Sequence, residues 1–206
     1  MDNQTYLNQI AVKGKRTANG EPLLSPLMIK LLIAGAIMLI TIIVVGIMVS
    51  SANSKVTQSY ERLYLRISQM SGSKGPYNKY AKYINSSNLA GHAVRLETSV
   101  AKTSKSLEPL LDKLGVKKDG ITKDIKNAET SSFSTYMNKL ERASMSGQMD
   151  LYYSSQTAER IMQIITVEKQ VLTKTNNDSL KSIINDSLND LETLYENFRD
   201  FSNSLD

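Results

Sequence analysis

One uninterrupted apolar run constrains this chain more than any other feature. Residues 31–49 read LLIAGAIMLITIIVVGIMV, in which Thr41 is the only polar side chain and no residue is charged. At about 1.5 Å per helical residue, the run and the uncharged residues after it can cross a hydrocarbon core of about 30 Å. We therefore predict a transmembrane helix at residues 28–50, which places the protein in a membrane with this helix in contact with lipid.

A cleavable signal peptide is the competing interpretation of the run, because Ser50, Ser51 and Ala52 offer the small residues that signal peptidases prefer. The preceding tail of about 30 residues and the length of the run both exceed what is usual for a signal peptide. The two lengths favour a retained signal anchor over cleavage after Ala52. The chain contains no cysteine, which excludes a lipid-anchored lipoprotein and any disulfide.

Basic residues in the N-terminal tail indicate how the anchor is oriented. Lys13, Lys15 and Arg16 form a KGKR cluster before the run. Membrane insertion disfavours moving such a cluster across the bilayer, whereas a long C-terminal domain crosses largely regardless of its charge. We predict that residues 1–27 form a short flexible cytoplasmic tail. Residues 51–206 are then the extracytoplasmic part of a single-pass protein of the cell membrane.

Beyond the run, apolar residues recur at spacings of three and four, the period of an amphipathic helix. The first apolar stripe continues the anchor helix to about Met70, where the sequence SGSKGP at residues 71–76 should end it. Four further stripes follow, and no segment shows the alternation of a strand. The five stripes consist of Val56, Tyr60, Leu63, Ile67 and Met70; Leu89, Ala93, Leu96, Val100, Thr103, Leu107, Leu110 and Leu114; Ile121, Ile125, Ala128, Phe133, Tyr136, Leu140 and Ala143; Leu151, Ser154, Ala158, Ile161, Ile165, Glu168 and Leu172; and Leu180, Ile184, Ser187, Leu191, Leu194, Phe198, Phe201 and Leu205.

Short connections join these helices, so each helix must lie antiparallel to a neighbour. We predict an all-α fold in which the anchor helix continues into an up-and-down antiparallel helical bundle, with one core in residues 51–206. Gly115 should end the second long helix, and Pro109 should kink or restart its last turn. Asp150 is expected in the first turn of the fourth long helix, as an acidic or capping residue.

Residues 77–83, YNKYAKY, interleave tyrosines with Lys79 and Lys82. Such a segment could contact an anionic polymer of the cell wall by stacking and charge neutralisation. We prefer a short helix whose tyrosines cap one end of the bundle. The net charge of +5 is spread over helix faces of mixed sign, which indicates weak contact with anionic polymer or lipid at most. No nucleic-acid partner is predicted.

Three segments resemble a known family. They are LEPLLDKLGV at residues 107–116, LERASMSGQMDLYY at residues 140–153 and SLK at residues 179–181. These helix ends and turns are similar to those of a widespread bacterial family of exported ferritin-like helical bundles with no assigned function. The resemblance covers residues 83–201 and implies a ferritin-like four-helix arrangement in the cell envelope.

The chain departs from that family at positions that would bind metal. Members commonly carry histidines in the bundle interior, and the corresponding positions here are Val100, Ile161 and Leu194. A ferritin-like dinuclear site also needs Glu-x-x-His pairs, and the chain has none. Its one histidine, His92, lies at the edge of an apolar stripe, where we expect a structural or exposed role. A metal-handling function is therefore the least favoured of the alternatives.

Glu168 is the most unusual residue of the stripes, because it falls between apolar positions of the fourth long helix. A buried carboxylate would need a cationic partner or a proton. We expect Glu168 instead at the margin of the stripe, where its carboxylate reaches water. No catalytic, cofactor-binding or metal-binding residue is predicted, and no cofactor, since no nucleophile motif or phosphate-binding glycine loop occurs.

These observations favour a membrane-anchored envelope protein whose helical bundle is a non-catalytic protein-interaction or structural module. Its partner would be another envelope protein or a second copy of the chain. A ligand-sensing ectodomain is the alternative. It is less favoured, because receptors of that kind normally have two spans and a cytoplasmic output domain, and a tail as short as residues 1–27 cannot bury a core.

Overall fold

The computed structural model describes residues 56–205, which belong to one compact unit, Ala52–Asp206. The described range contains no strand, and this confirms the predicted all-helical bundle. Short 3₁₀ turns lie at Ala81–Tyr83 and Lys118–Gly120. The α-helices are α1 at residues 56–70, α2 at Pro76–Tyr80, α3 at Ser87–Lys113, α4 at Lys123–Ser146, α5 at Met149–Leu172 and α6 at Asp178–Asn203.

Local sequence signals end and begin these helices. Gly115 follows α3 with φ at +84°, a left-handed conformation that glycine adopts without strain, and the N–H of Val116 donates to the carbonyl of Leu111 at 2.9 Å. The side chain of Asn177 accepts the N–H of Leu180 at the start of α6. Pro109 lies inside α3, which continues through it to Lys113. Residues at the helix ends therefore determine where these helices stop and start.

Contacts between side chains show the direction of each helix. On each of three packed pairs, higher residue numbers on one helix meet lower numbers on the other. The paired helices are therefore antiparallel, and α3 packs on α6, α6 on α5, and α5 on α4. The contacts are His92 with Phe198 and Ser99 with Asp190 for α3 and α6, Tyr153 with Phe198 and Glu168 with Ser187 for α5 and α6, and Ser132 with Arg160 and Tyr136 with Thr157 for α4 and α5.

Helix α1 lies between α3 and α4. Its Tyr64 hydroxyl approaches Glu108 of α3 at 3.5 Å, and its Arg66 binds Glu129 of α4. Among helices α2 to α6, α3 and α4 are not a closely packed pair, although they follow each other in the chain. Leu63 and Ile67 of α1 are almost fully buried, so α1 contributes to the same core as the other long helices.

Most predicted stripe positions lie in one continuous core, and the differences are local. On α4, Ala128 is exposed and Glu129 is buried in its place. Near the end of α3, Leu111 is fully buried, although we predicted its neighbour Leu110. Leu205 is 47% exposed, because α6 ends at Asn203 before reaching it.

Helix α5 is buried on a second face that the sequence analysis missed. Beside the predicted stripe, it buries Ile164 and Val167 among other residues. The full second set is spaced 4, 3, 4, 3, 4 and consists of Tyr153, Thr157, Arg160, Ile164, Val167 and Val171. The helix therefore has neighbours on two sides, which are α6 on one and α4 with α1 on the other.

The segment YNKYAKY forms α2 and the following 3₁₀ turn, as predicted for a short capping helix. Tyr80 is buried, and its hydroxyl donates to the carbonyl of Met137 on α4 at 3.1 Å. Tyr83 is 41% exposed. Within residues 56–205, no helix has the length and hydropathy needed to cross a membrane. The predicted anchor at residues 28–50 and the tail at residues 1–27 lie outside the described residues.

We predict that truncating a core leucine of α6 destabilises the bundle strongly. Leu191 is fully buried, so Leu191→Ala should lower the free energy of unfolding by about 2 to 5 kcal/mol. Leu205→Ala is the matched control, since it removes the same atoms from an exposed site, and its effect should stay within about 0.5 kcal/mol. Denaturant unfolding of a soluble fragment of residues 53–206, followed by circular dichroism, measures both values. Equal stability of the two variants would contradict the burial of this stripe.

Candidate functional site

Charged side chains inside the core are the first place to look for a site, since burial of an unpaired charge is costly. Four such side chains are buried in the described range. They are Glu61, Glu129, Arg160 and Glu168. Their hydrogen-bond partners distinguish the side chains that hold helices together from those that keep a polar atom without a partner.

Glu129 is held by a fork-shaped ion pair with Arg66. The guanidinium Nε lies 2.8 Å from one carboxylate oxygen of Glu129, and Nη2 lies 2.9 Å from the other. The remaining Nη1 donates to the carbonyl oxygen of Gln163 on α5 at 2.7 Å. Paired bonds of this geometry are strong and directional. One arginine thereby joins α1, α4 and α5, so the role of this pair is structural.

Two other carboxylates bind backbone N–H groups at helix starts. Glu61 of α1 accepts from the N–H and the hydroxyl of Thr122, the residue before α4. Asp150 lies in the first turn of α5, as predicted, and accepts the N–H groups of Asn85 and Ser86 at 2.8 and 2.9 Å. Negative charge at a helix N-terminus is stabilising. Both carboxylates therefore tie one helix to the start of another.

Arg160 differs from Arg66, because none of its hydrogen bonds reaches a carboxylate. It is 2% exposed, and its Nη2 donates to Gln69 at 2.8 Å. Its Nη1 donates to Gln163 at 2.9 Å and to the hydroxyl of Ser132 at 3.3 Å. Its buried Nε has no hydrogen-bond partner. Burial and the nearby charge of Arg66 lower the pKa of Arg160, yet a guanidinium stays protonated.

A polar cavity of about 170 Å³ opens beside Arg160, between α4 and α5. Buried Arg160 and Tyr136 line it from within, and exposed Thr135, Lys139 and Glu159 line it from the solvent side. The remaining lining residues are Ser132, Gln156 and Gln163. The cavity thus presents two cations, one carboxylate and several neutral polar groups.

Tyr136 is fixed at the inner end of this cavity. Its hydroxyl lies 3.0 Å from the hydroxyl of Thr157, and burial raises the pKa of the phenol strongly. The phenol therefore stays neutral at physiological pH, and it cannot act there as a base. Lys139 at the mouth donates to Gln156 at 2.7 Å, a neutral partner that leaves the ammonium charge available.

Glu168 is fully buried, which corrects the expectation that its carboxylate reaches water. One oxygen accepts the hydroxyl of Ser187 on α6 at 2.7 Å, and the other has no partner. Burial raises the pKa of Glu168 to about 8, and the charge of Glu192 adds to the shift. The carboxyl group is thus protonated at neutral pH and needs no cationic partner, because the proton removes its charge.

Four further positions bear on possible metal chemistry. Val100, Ile161 and Leu194 are all buried in the apolar core. His92 is half-buried, its ring lies 6.0 Å from that of Phe198, and its Nδ1 has no partner. Burial, then the charge of Arg95, lowers the pKa of His92. No group of three acidic or histidine side chains that could hold a metal ion occurs in the part of the chain described by the structure.

The α4–α5 cavity is therefore the candidate site. Its residues can bind and orient an anion, since they combine cations with neutral hydrogen-bonding groups in a partly enclosed space. We predicted no site residue, and of the residues that line the cavity only Tyr136 lies on a predicted stripe. Comparisons of the chain with family models, with curated proteins and with solved structures find no match.

We predict that Glu168 makes the stability of the bundle fall as pH rises. The unfolded chain loses the proton of Glu168 near pH 4.5, whereas the folded protein keeps it to about pH 8. Between these values the unfolded state binds fewer protons, so the free energy of unfolding decreases with pH. The total loss should reach up to about 5 kcal/mol.

The variant Glu168→Gln should remove this dependence, because an amide does not titrate. The difference in unfolding free energy between the variant and the parent should grow from pH 4.5 to pH 8 and then level off. Ser187→Ala is the companion variant, since it keeps the carboxyl group and deletes its one hydrogen-bond donor. Urea denaturation at several pH values measures these differences. A constant difference between the Glu168→Gln variant and the parent would show that Glu168 is ionised in the fold.

Proposed function

We propose that the protein is a single-pass, membrane-anchored protein of the bacterial cell envelope, with a non-catalytic binding module outside the membrane. The apolar run at residues 31–49 supports the anchor, and the KGKR cluster supports a cytoplasmic N-terminus. The antiparallel helix pairs described above are compatible with a ferritin-like arrangement of residues 83–201, which we include in the proposal. The module binds another envelope protein or a second copy of the chain.

The observation that carries the binding role is a surface between α5 and α6. Met162, which is 39% exposed, and Tyr195 occur together in two adjoining hollows of this surface, about 410 and 530 Å³ in volume. Lys169, Glu192 and Arg199 flank them. An apolar centre containing Met and Tyr with a charged rim is the usual anatomy of a protein interface.

Support for a non-catalytic role comes from the polar groups of the described residues. Arg66 and Glu129 bind each other, and Glu61 and Asp150 bind backbone N–H groups at helix starts. His92 has no hydroxyl or carboxylate partner at its buried Nδ1, so it is not arranged as a base beside a nucleophile. Ligand sensing is the second candidate function, and the α4–α5 cavity is the observation that favours it.

The proposed topology predicts the outcome of limited proteolysis. Protease added to intact spheroplasts should digest residues 55–206 and leave the N-terminal tail protected, because only the bundle lies outside. An epitope tag at each terminus, detected by immunoblotting, distinguishes the two regions. Digestion of the bundle only after lysis would invert the topology and remove the envelope role.

The proposed interface predicts where the bundle touches its partner in the cell. A photo-activatable amino acid at Met162 should give a discrete crosslinked species, either with a second copy or with another envelope protein. The matched control is the same substitution at Met145, which is 78% exposed and lies outside both hollows. Equal crosslinking at the two positions, or none at Met162, would contradict an interface on the α5–α6 surface.

A further inference from the structure

The charge of Arg160 is not neutralised within the described part of the protein. Its hydrogen bonds go to Gln69, Gln163 and Ser132, all of them neutral. The core carboxylate whose charge acts on Arg160 is that of Glu129, and both of its oxygens are bound by Arg66. Two guanidinium groups thus share one carboxylate in this part of the core. A buried cation in such a position is stabilised by an added negative charge.

The cavity beside Arg160 has the size and lining to admit that charge. A cavity of about 150 Å³ is large enough for benzene, so about 170 Å³ accommodates a small oxyanion. Lys139 at the mouth supplies a second cation, and the hydroxyl of Ser132, which accepts from Arg160, keeps its own hydrogen to donate. Of the three bonds of Arg160, the one to Ser132 is the longest, at 3.3 Å. An incoming oxygen would replace this bond most readily.

We propose that the α4–α5 cavity is a binding site for a small free oxyanion, with a carboxylate or phosphate-type group, held by Arg160 and Lys139. The fork of the guanidinium matches the paired oxygens of such a group. Glu159, which lines the same cavity, opposes the anion and limits its affinity. The site is defined by the cavity alone and depends on neither the membrane anchor nor a protein partner.

The test measures thermal unfolding of the full chain in a neutral detergent, by circular dichroism. Sodium phosphate, sulfate and acetate are titrated at constant ionic strength against sodium chloride. At least one oxyanion should raise Tm along a saturating curve, since a ligand that binds only the folded state stabilises it. An equal rise in chloride would show general salt stabilisation and overturn the proposal.

Three exposed-residue variants separate a site from a general charge effect. Lys139→Gln should weaken binding of the oxyanion by about tenfold, the usual effect of losing one charge-assisted hydrogen bond. Glu159→Gln should strengthen it, because the opposing carboxylate is removed. Lys126→Gln is the matched control on the same helix, exposed and away from the cavity, and it should leave the Kd unchanged. Equal weakening by the two lysine variants would refute the site.

Arg160→Gln should abolish saturable binding. Because this variant removes buried hydrogen bonds and can fail to fold, a second measurement on the parent chain accompanies it. The side-chain Nε–H signal of Arg160, followed by ¹⁵N nuclear magnetic resonance, should shift with the oxyanion and saturate at the Kd from unfolding. In Lys139→Gln the same shift should need about tenfold more anion. A signal that does not move while Tm rises would place the anion elsewhere and overturn the proposal.

Discussion

The ion pair between Arg66 and Glu129 is the constraint on which the arrangement of the helices depends. It joins α1 to α4 through two bonds, and the third bond of the guanidinium reaches the carbonyl oxygen of Gln163 on α5. Removing either partner would leave the other charge buried and unpaired, which costs more than the pair itself contributes. Because these bonds require one rotation and one depth of α1, they fix its register against α4 and α5. Apolar side chains alone allow such a helix to slide.

The long stripes of α3 and α6 were predictable from the sequence, because each of these helices buries a single face. On α6 the spacing of 4 and 3 identified Leu180, Ile184 and Leu191, all of which are fully buried. The ends were predictable where glycine marked them, as at Gly115. Periodicity predicts the buried residues of such helices, because a helix with one apolar and one polar face turns the apolar face to the core.

The candidate site was not predictable by the same reasoning, because it lies where periodicity stops being informative. Helix α5 buries two faces. Once one apolar stripe has been found on such a helix, a second set of buried residues on another face is easily overlooked. Arg160 and Glu129 occupy core positions and yet count as polar in any hydropathy pattern. The 4, 3, 4, 3, 4 spacing from Tyr153 to Val171 is the signal that could have revealed the second face. The spacing does not show which charged side chains pair with each other, because that depends on tertiary contacts.

Two buried polar groups illustrate opposite solutions to the same problem. Glu168 lies between α5 and α6 and becomes neutral by keeping its proton, with one carboxyl oxygen bound by Ser187 and the other left without a partner. Arg160 cannot lose its charge at any physiological pH, so it is stabilised by its neutral hydrogen-bond partners, by the ring of Phe133 and, in our proposal, by an anion. Val100, Ile161 and Leu194 are apolar side chains buried in the core. The polar groups that can bind a charged ligand therefore lie on the α4 side of α5, where the cavity opens to solvent.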